Sequence, residues 1–387
     1  MRIAIFTETY LPYTDGVVTR LLRTLEELQK LAVDVLVLAP DGGPAEYAGA
    51  RVEGFPGRPF YLYPDKRVIW PRTRMFDLLH AFQPDLIHTV NPAVFGMGAI
   101  VASRVIGVPL VASYHTNFGH YARLYGFGWL APGIWGYMRL LHNRAAVNLC
   151  TSNSTMQELR RRGFRRLRLW PEAVDRSFRP LPPDPDMRNR LTAGHPERTL
   201  LLYVGRLAAE KQLERLLPFL GADPHVTLAL VGGGPREAEL RQAFAGTTAV
   251  FAGYLHGDDL VAAYNAADAF VFPSTTETLG LVLLEAMACG LPVLAASSAP
   301  TRDLLRDGGG MLYDADRPDA LAEALTALRE QSGLADRLRR EARHRGARQG
   351  WDAATRALLS HYREALGAGD AAPGIGALSH GSGIGGG

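Results

Sequence analysis

The sequence predicts an α/β protein made of two Rossmann-like domains, each built on a parallel β-sheet, that face each other across a cleft. At 387 residues the chain is long enough for two domains of ordinary size. Short apolar runs alternate with amphipathic segments, a pattern typical of strands joined by helices in a parallel sheet. This alternation occurs twice, and residues 178–198, rich in proline and polar side chains, separate the two series as a linker would.

The first series of strands and helices occupies residues 1–177. Residues 19–30 are predicted to form a helix, because one face carries apolar side chains and the opposite face charged ones. The apolar residues are Leu21, Leu22, Leu25 and Leu28. The predicted strands of this domain are residues 2–6, 33–39, 85–90, 109–114 and 147–151.

The second series occupies residues 199–345. We expect residues 346–366 to form a helix that packs back on the first domain. Residues 367–387 are rich in glycine, alanine and serine, and we expect them to be disordered. The predicted strands of the second domain are residues 200–204, 227–231, 249–252, 269–273 and 292–296.

Composition excludes several classes of protein. The only cysteines, Cys150 and Cys289, exclude a disulfide framework and a four-thiolate zinc site. The first residues lack the long apolar core of a signal peptide, and the sequence has no uninterrupted apolar stretch of about 18 residues. We therefore expect a cytoplasmic enzyme, with the cleft between its two domains as the default binding site.

Positive charge is concentrated in the first half of the chain. The first 177 residues carry 21 Lys and Arg against 14 Asp and Glu, and no acidic residue lies between Asp85 and Glu158. Buried elements followed by a solvated arginine-rich helix explain this distribution as well as an anionic partner does, such as a membrane surface or an anionic substrate. No nucleic-acid recognition motif accompanies the arginines, so no nucleic-acid partner is expected.

Two cations follow the first predicted strand of the second domain. The strand ends at Gly205-Arg206, and Lys211 follows five residues later. Both side chains would lie at the carboxyl end of the strand, where ligands bind in such sheets. Lys211 is one of three lysines in the chain, and its compact ammonium suits a phosphate. Considered alone, it is also explained by a surface ion pair with Glu210 or Glu214.

Glycine turns follow the next two predicted strands. Gly232, Gly233 and Gly234 would let backbone amides approach an anion, and Gly253-Tyr254 ends the following strand in the same way. A tight turn before a helix explains each of these turns equally well.

Residues 272–292 carry the strongest signal. A strand ends near Pro273 and a helix begins near Gly280, so Glu277 lies in the loop and Glu285 lies about one and a half turns into the helix. Carboxylates accept hydroxyl protons and the amides at a helix start donate to oxygens, so the segment suits a polyhydroxyl ligand. Each carboxylate alone is explained as an ordinary helix residue, but the two upstream cations make the functional interpretation the better one.

The spacing of Glu277 and Glu285, with Gly-Arg and Lys upstream, resembles the retaining nucleotide-sugar glycosyltransferases of family 4, which have the GT-B fold. The likeness extends over roughly residues 1–365. It implies that the first domain lies on the acceptor side and that the second binds a UDP- or GDP-linked hexose. The residues implied for donor binding are Arg206 and Lys211 for the diphosphate, Glu277 with the backbone of Leu279, Gly280 and Leu281 for the sugar, Glu285 for the ribose, the Gly233 turn, and the backbone around Tyr254 for the base.

The first domain contributes two further residues by the same resemblance. Gly16 corresponds to the family glycine that lies against the donor phosphates, with the amides of the following helix behind it. Many members have two glycines where this chain has Asp15-Gly16. His115 follows a predicted strand and corresponds to the cleft histidine that contacts the sugar. Its role is therefore implied to be catalytic, like those of Arg206, Lys211 and Glu277.

Residues 113–116, 167–170 and 277–280 look like those of the sulfoquinovosyl-diacylglycerol synthases and related lipid mannosyl- and glucosyltransferases. That subgroup implies a lipid acceptor and peripheral contact with an anionic membrane at its inner face. The aromatic residues of segment 121–137 suit a bilayer interface, and equally a core or acceptor-pocket helix. One departure concerns residues 172–175, which read Glu-Ala-Val-Asp where the family usually has Asn-Gly-Val-Asp or Lys-Gly-Val-Asp.

The resemblance implies retention without a covalent intermediate, with the leaving phosphate helping to take the acceptor proton. Because Arg206 and Lys211 would stabilise the departing anion, we expect no cofactor and no catalytic metal. The Asp-x-Asp matches at Asp184 and Asp314 lie in the linker and after a turn, and we interpret neither as a metal site.

Three alternatives remain open from the sequence. Double Rossmann domains also occur in NAD-dependent oxidoreductases, but the first strand–helix turn lacks a Gly-x-Gly-x-x-Gly run. An inactive family member acting as a binding subunit is disfavoured by the presence of all the implied catalytic residues. Nucleotide-sugar epimerisation is a third alternative within the same fold.

Overall fold

A computed structural model describes residues 1–13, 15–60, 63–116, 126–276, 280–346 and 350–369. The strands are β1 (Arg2–Thr7), β2 (Asp34–Pro40), β3 (Glu46–Tyr47), β4 (Ala50–Phe55), β5 (Arg58–Phe60), β6 (Tyr63–Val68), β7 (Leu86–Val90), β8 (Leu110–Tyr114), β9 (Val147–Cys150), β10 (Leu167–Leu169), β11 (Thr199–Val204), β12 (Val226–Val231), β13 (Ala249–Gly253), β14 (Ala269–Phe272), β15 (Val293–Ala296) and β16 (Gly310–Tyr313).

The α-helices alternate with these strands, as parallel sheets require. They are α1 (Gly16–Lys30), α2 (Arg74–Phe82), α3 (Phe95–Ile106), α4 (Ala131–His142), α5 (Asn153–Arg161), α6 (Pro185–Leu191), α7 (Leu217–Ala222), α8 (Glu237–Ala243), α9 (Gly257–Ala266), α10 (Leu281–Ala288), α11 (Ala299–Leu304), α12 (Ala320–Glu330), α13 (Leu334–Gly346) and α14 (Trp351–Gly369).

The first sheet has the strand order β10-β9-β8-β7-β1-β2-β4-β3. All neighbouring strands in it are parallel except the short edge strand β3, which is antiparallel to β4. Helix α1 begins at the carboxyl end of β1 and buries Leu21, Leu25 and Leu28 against the sheet, which confirms the predicted amphipathic helix.

The second sheet is parallel throughout, with the order β13-β12-β11-β14-β15-β16. Its four central strands, β12, β11, β14 and β15, are buried on both faces, and they form one continuous core with the helices around them. All ten predicted strands are present in the two sheets, with ends that agree to within one residue. The two parallel sheets confirm the predicted α/β class.

Two segments that lie outside the alternating strands and helices each pack against one of the domains. Residues 178–198, which we predicted to be a linker, contain helix α6, whose Met187 and Leu191 are buried in the core of the second domain. This part of the segment is therefore a packed element and not a simple linker. Helix α14 lies against the first domain, where Leu358, Leu359 and Tyr362 share a core with α1. Among the described helices, none combines the length and the apolar character needed to cross a bilayer.

Candidate active site

In each sheet the strand order reverses at a central strand, and these two positions face a shared cleft. β1 lies between β2 and β7 in the first sheet, and β11 lies between β12 and β14 in the second, so the strand order reverses at these positions. Ligands in doubly wound sheets bind beyond the carboxyl ends of the strands at such points. A cleft of about 380 Å³ lies there, lined by Glu8 and Asp15 from the first domain and by Arg206, Gly234 and Tyr254 from the second.

The two predicted cations lie in the loop after β11. The hydroxyl of Tyr203 donates to the carbonyl of Arg206 over 3.0 Å, which fixes the turn that follows the strand. Lys211 ends a single 3₁₀ turn, Ala209–Lys211, and its Nζ lies 5.7 Å from the centre of the Phe272 ring. Phe272 is the last residue of β14, so the ammonium lies at the carboxyl ends of both central strands.

Four hydrogen bonds fasten the loop after β11 to the loop after β14. The carbonyl of Glu210 accepts from Ser274 Oγ at 2.8 Å and from Thr276 Oγ1 at 3.0 Å. Gln212 Oε1 accepts from the Thr275 amide at 3.1 Å and from Thr275 Oγ1 at 3.0 Å. We call this set the loop clasp. It fixes Lys211 beside the segment that leads to Glu277; Glu277 and Leu279 themselves lie outside the described residues.

Helix α10 begins as predicted directly after Gly280, whose φ of 63° lies in the left-handed region. Leu281 is buried in a small cluster with Ala173 and Trp351, so its side chain packs towards the first domain and the last helix. The backbone of Gly280 and Leu281 thus lies at the start of the helix, where the first amides have no partner within the helix.

Glu285 is a partly buried carboxylate on α10. Its Oε2 accepts a hydrogen bond from Tyr264 Oη at 2.8 Å. Burial raises the pKa of Glu285 to about 7, although the hydrogen bond from Tyr264 acts in the opposite direction. The carboxyl group therefore changes its charge close to neutral pH, which is unusual for a glutamate.

The glycine turn after β12 is required by close packing. A Cβ on Gly232, whose φ is 126°, would lie 2.1 Å from the carbonyl oxygen of Gly205. A Cβ on Gly233 would lie 2.7 Å from the ring of Tyr254. The Tyr254 side chain is 57% exposed and stacks on the His256 ring, with the ring centres 6.1 Å apart. These contacts explain the glycines sterically, and they also bring Gly233 and Tyr254 together beside the cleft.

Gly16 is the first residue of α1, and Asp15 caps that helix. Asp15 Oδ1 accepts from the amides of Val17 and Val18, each at 2.9 Å. The resemblance implied that amides of this helix stand behind the donor phosphates. In this structure a carboxylate of the chain itself binds two of them, in place of the second glycine that many family members have.

His115 lies at the carboxyl end of β8, and it is 3% exposed. Its Nε2 is 2.9 Å from Ser113 Oγ, and its ring lies 5.7 Å from that of Trp170. It lines a small internal cavity together with Arg20 and His88. Burial lowers the pKa of His115 well below its usual value, and the nearby Arg20 charge adds to this effect. Its contact with a sugar stays a prediction.

Several polar residues that position the site were not predicted from the sequence. Glu8 Oε1 accepts from the amides of Ala93 at 2.7 Å and Gly96 at 3.0 Å, and so caps α3. Asn91 Oδ1 accepts from the amides of His115 at 3.3 Å and Thr116 at 3.1 Å. Glu8 and Asn91 each follow a central strand directly, a signal that could have marked them.

Both Asp-x-Asp matches have local structural roles. Asp184 Oδ1 accepts from the amides at the start of α6, and Asp314 Oδ1 accepts from the amide of Asp316 at 3.0 Å. Across the described part of the chain, no group of three or more His, Cys, Asp or Glu side chains is arranged to hold a metal ion.

Comparisons with known proteins identify the family of the chain. Two family models match the chain: Glycosyltransferase Family 4 over residues 14–178 and Glycosyl transferases group 1 over residues 189–345. A sulfoquinovosyl transferase of Arabidopsis thaliana is 37% identical over 92% of this chain and 72% of its own length. A GDP-mannose-dependent alpha-mannosyltransferase of Mycolicibacterium smegmatis is 36% identical over 95% of this chain and 98% of its own length.

Solved structures show the same fold. HepE of Anabaena in complex with UDP-glucose has a TM-score of 0.77 at 20% identity, covering 93% of this chain and 99% of that one. A sucrose-phosphate synthase from Thermosynechococcus elongatus has a TM-score of 0.75 at 21% identity, covering 95% and 99%. The predicted GT-B fold and family resemblance are thereby confirmed. The chain belongs to glycosyltransferase family 4 and is a glycosyltransferase with the GT-B fold.

Proposed function

We propose that this glycosyltransferase moves a hexose from a UDP- or GDP-linked donor to a hydroxyl group of a membrane lipid, with retention at the anomeric carbon. The observation that carries the proposal is the loop clasp, which holds Lys211 at the switch point of the second sheet beside the segment that leads to Glu277. The name of one relative supports the donor class, since that mannosyltransferase is GDP-mannose-dependent.

The donor would lie along the second domain. Arg206 and Lys211 would bind its diphosphate, because both lie after β11 and both carry a positive charge. Glu285 in its ionised form would accept hydrogen bonds from the ribose hydroxyls. The backbone beside Tyr254 would meet the base, near the Gly233 turn. Glu277 would contact the transferred sugar, together with amides of residues 279–281.

In the transfer step, the acceptor hydroxyl attacks the anomeric carbon on the face from which the diphosphate leaves. The bond from that carbon to the diphosphate oxygen breaks, and the departing phosphate takes the acceptor proton. Negative charge grows on the leaving group, and Arg206 and Lys211 stabilise it in place. These two cations supply the charge that a metal supplies in other transferases, so we infer that turnover needs no metal. His115 would hold the sugar from the first domain.

The lipid acceptor draws support from one surface of the first domain. Helices α2, α3 and α4 cover the same face of the sheet, and their cores are shared. Large apolar side chains are exposed on these helices or in the segments that precede them: Val105 on α3 is 63% exposed and Leu140 on α4 55%, and Trp70 before α2 is 62% exposed and Trp129 before α4 77%. We call these four side chains, with the adjacent Arg104 and Arg139, the apolar-basic face. Aromatic, aliphatic and cationic groups together suit an anionic bilayer surface.

Nucleotide binding tests the donor class. Thermal unfolding is measured in EDTA with UDP, GDP, ADP or NAD, on the wild type and on Lys211→Ala. We expect one nucleoside diphosphate to raise the midpoint of the wild type and to lose that effect in the variant. Stabilisation by NAD alone would contradict the proposed donor class. Transfer of labelled hexose from the selected donor to lipid vesicles, followed by analysis of the anomeric configuration, then tests the acceptor and the stereochemistry.

A further inference from the structure

A buried chain of hydrogen bonds connects the last helix to His115. Tyr362 Oη on α14 lies 2.7 Å from His88 Nδ1 on β7. The other ring nitrogen of His88, Nε2, lies 2.9 Å from Ser113 Oγ on β8. Ser113 Oγ in turn lies 2.9 Å from His115 Nε2. None of the four residues is more than 3% exposed.

Both imidazoles in this chain are neutral. Burial lowers the pKa of His88 to about 3, and the pKa of His115 falls well below its usual value for the same reason. The guanidinium of Arg20, itself fully buried and stacked 3.9 Å over the Trp170 ring, disfavours a second positive charge on either histidine. A neutral imidazole carries one N–H donor and one acceptor nitrogen, so each ring must adopt one of two tautomers.

The direction of the chain follows from its Tyr362 end. Among the described residues, the Tyr362 hydroxyl has one hydrogen-bonding partner, His88 Nδ1. A buried hydroxyl that does not donate is costly, so Tyr362 donates and His88 Nδ1 accepts. His88 then carries its proton on Nε2 and donates it to Ser113 Oγ.

The Ser113 hydroxyl continues the chain in the same direction. Its hydroxyl has two partners among the described residues, the Nε2 atoms of His88 and His115. His88 Nε2 is already a donor, so the Ser113 hydroxyl donates to His115 Nε2. That nitrogen is therefore the acceptor, and the proton of the neutral His115 ring resides on Nδ1.

We propose that Tyr362 sets the tautomer of His115 through His88 and Ser113, so that His115 presents Nδ1–H as a hydrogen-bond donor. Tyr362, His88 and Ser113 are then positioning residues, and docking of α14 on the first domain becomes part of the ordering of the site. The tautomer follows from the hydrogen bonds and from the burial that keeps both rings neutral. Its consequence for transfer rests on the proposed function, in which His115 holds an oxygen of the sugar.

Nitrogen NMR of the intact protein tests the tautomer directly. The protein is labelled with ¹⁵N in its 11 histidines, and long-range ¹H–¹⁵N spectra distinguish protonated from unprotonated ring nitrogens. His115→Gln and His88→Gln identify the two sets of signals. We expect the wild type to carry its proton on Nδ1 of His115 and on Nε2 of His88. A proton on Nε2 of His115 would overturn the proposal.

Two variants test the order of the links. Tyr362→Phe should release both histidines into mixtures of tautomers. Ser113→Ala should change only His115, because Tyr362 still donates to His88, and it decides the matter if Tyr362→Phe does not fold. Tyr313→Phe is the matched control, since the buried Tyr313 hydroxyl has no hydrogen-bonding partner among the described residues. Unchanged His115 signals in a folded Tyr362→Phe or Ser113→Ala protein would overturn the proposal.

Kinetic measurements separate the tautomer of His115 from its proposed role in transfer. In Tyr362→Phe we expect kcat to fall about tenfold, with the Kd for the nucleoside diphosphate unchanged, because the lost orientation acts on the sugar and not on the nucleotide. The expected tautomer with unchanged kcat would uphold the hydrogen-bond chain and contradict the role of His115 in transfer. Absence of transfer by the wild type would contradict the proposed function, and the NMR result would still decide the tautomer.

Discussion

The hydroxyl of Tyr264 donates a 2.8 Å hydrogen bond to Oε2 of Glu285. Tyr264 lies on α9 and Glu285 on α10, so the bond joins two helices that flank β14. Glu285 is partly buried, and its pKa is raised to about 7. The hydrogen bond favours the ionised form, whereas burial favours the neutral form and dominates. A group proposed to receive ribose hydroxyls is therefore only partly ionised at neutral pH.

Donor binding should depend on the charge of Glu285. The ionised carboxylate accepts hydrogen bonds from two hydroxyls, and the neutral acid does so less well. We expect the affinity for the preferred nucleoside diphosphate to rise with pH, with an inflection near 7. Titration calorimetry between about pH 5.5 and 8.5 measures this dependence.

Two variants separate this inflection from titration of the ligand phosphate, which has a pKa of about 6. Glu285→Gln should retain the phosphate titration and lose the inflection near 7. Tyr264→Phe removes the hydrogen bond that lowers the pKa of Glu285, so the inflection should move to higher pH. An identical pH profile in Tyr264→Phe would show that Glu285 is not the titrating group.

The ionised carboxylate of Glu285 should lower the free energy of unfolding at alkaline pH. Its pKa in the folded protein lies above the ordinary value of 4.5, so its contribution to stability is fully present below pH 4.5 and is lost as pH rises through about 7. Glu285→Gln removes the buried charge and should raise the free energy of unfolding at pH 8 by about 1–3 kcal/mol relative to wild type. Urea unfolding at pH 5 and pH 8 measures the difference. An equal effect of the substitution at both pH values would contradict the assignment.

Lys211 should carry much of the transition-state stabilisation. Lys211→Ala should lower kcat by about 10²–10³-fold, because the ammonium attracts the leaving diphosphate more strongly as its charge grows. Lys30→Ala is the control, since Lys30 is an exposed lysine paired with Glu27 over 2.7 Å. Both variants are assayed for hexose transfer in EDTA. Loss of wild-type turnover in EDTA would contradict transfer without a metal, and equal rates in the two variants would exclude Lys211 from the step.

Ten of the strands, and the residues that end them, were predictable because both depend on local sequence. β1 and β11 are apolar on both faces and end in polar or glycine residues, which is the pattern of a buried parallel strand. Six strands were missed: β3, β5, β6 and β10, and also β4 and β16. β4 includes the charged residues Arg51 and Glu53 near the sheet edge, and β16 is short and partly exposed. Neither has the continuous apolar run on which the prediction relied.

Some residues of the candidate site were predictable from local sequence in the same way, and others were not. Arg206 and Glu285 stand at fixed offsets from a strand end and a helix start, so sequence spacing was enough to propose them. Gln212 and Tyr264 act through hydrogen bonds to Thr275 and Glu285, residues 63 and 21 positions away along the chain. Nothing in the local sequence around Gln212 or Tyr264 reveals such a partner. Only the packed arrangement of the loops and helices identifies them.

The apolar-basic face should bind anionic vesicles. Replacing Trp129 by Ser together with Val105 by Ser removes two exposed apolar side chains from one layer of helices, and binding should weaken by about tenfold. Leu312→Ser is the matched control, because Leu312 is an exposed side chain on the second domain, 38% accessible. Flotation with vesicles containing anionic lipid at low salt measures recruitment. If the wild type does not float, or if the control weakens binding equally, this face is not the membrane contact.

The loop clasp should be needed for donor affinity more than for folding. Gln212→Ala removes the acceptor of two hydrogen bonds from Thr275, worth about 0.5–1.5 kcal/mol each. Because these bonds fix the two loops relative to each other, the Kd for the nucleoside diphosphate should rise about 3- to 30-fold while the second domain stays folded. Gln242→Ala, on the exposed face of α8, is the control. Calorimetry gives the affinity, and urea unfolding shows whether the fold is retained. Unchanged affinity with reduced stability would mean that the clasp only supports the fold, and the positioning of Lys211 would then need another explanation.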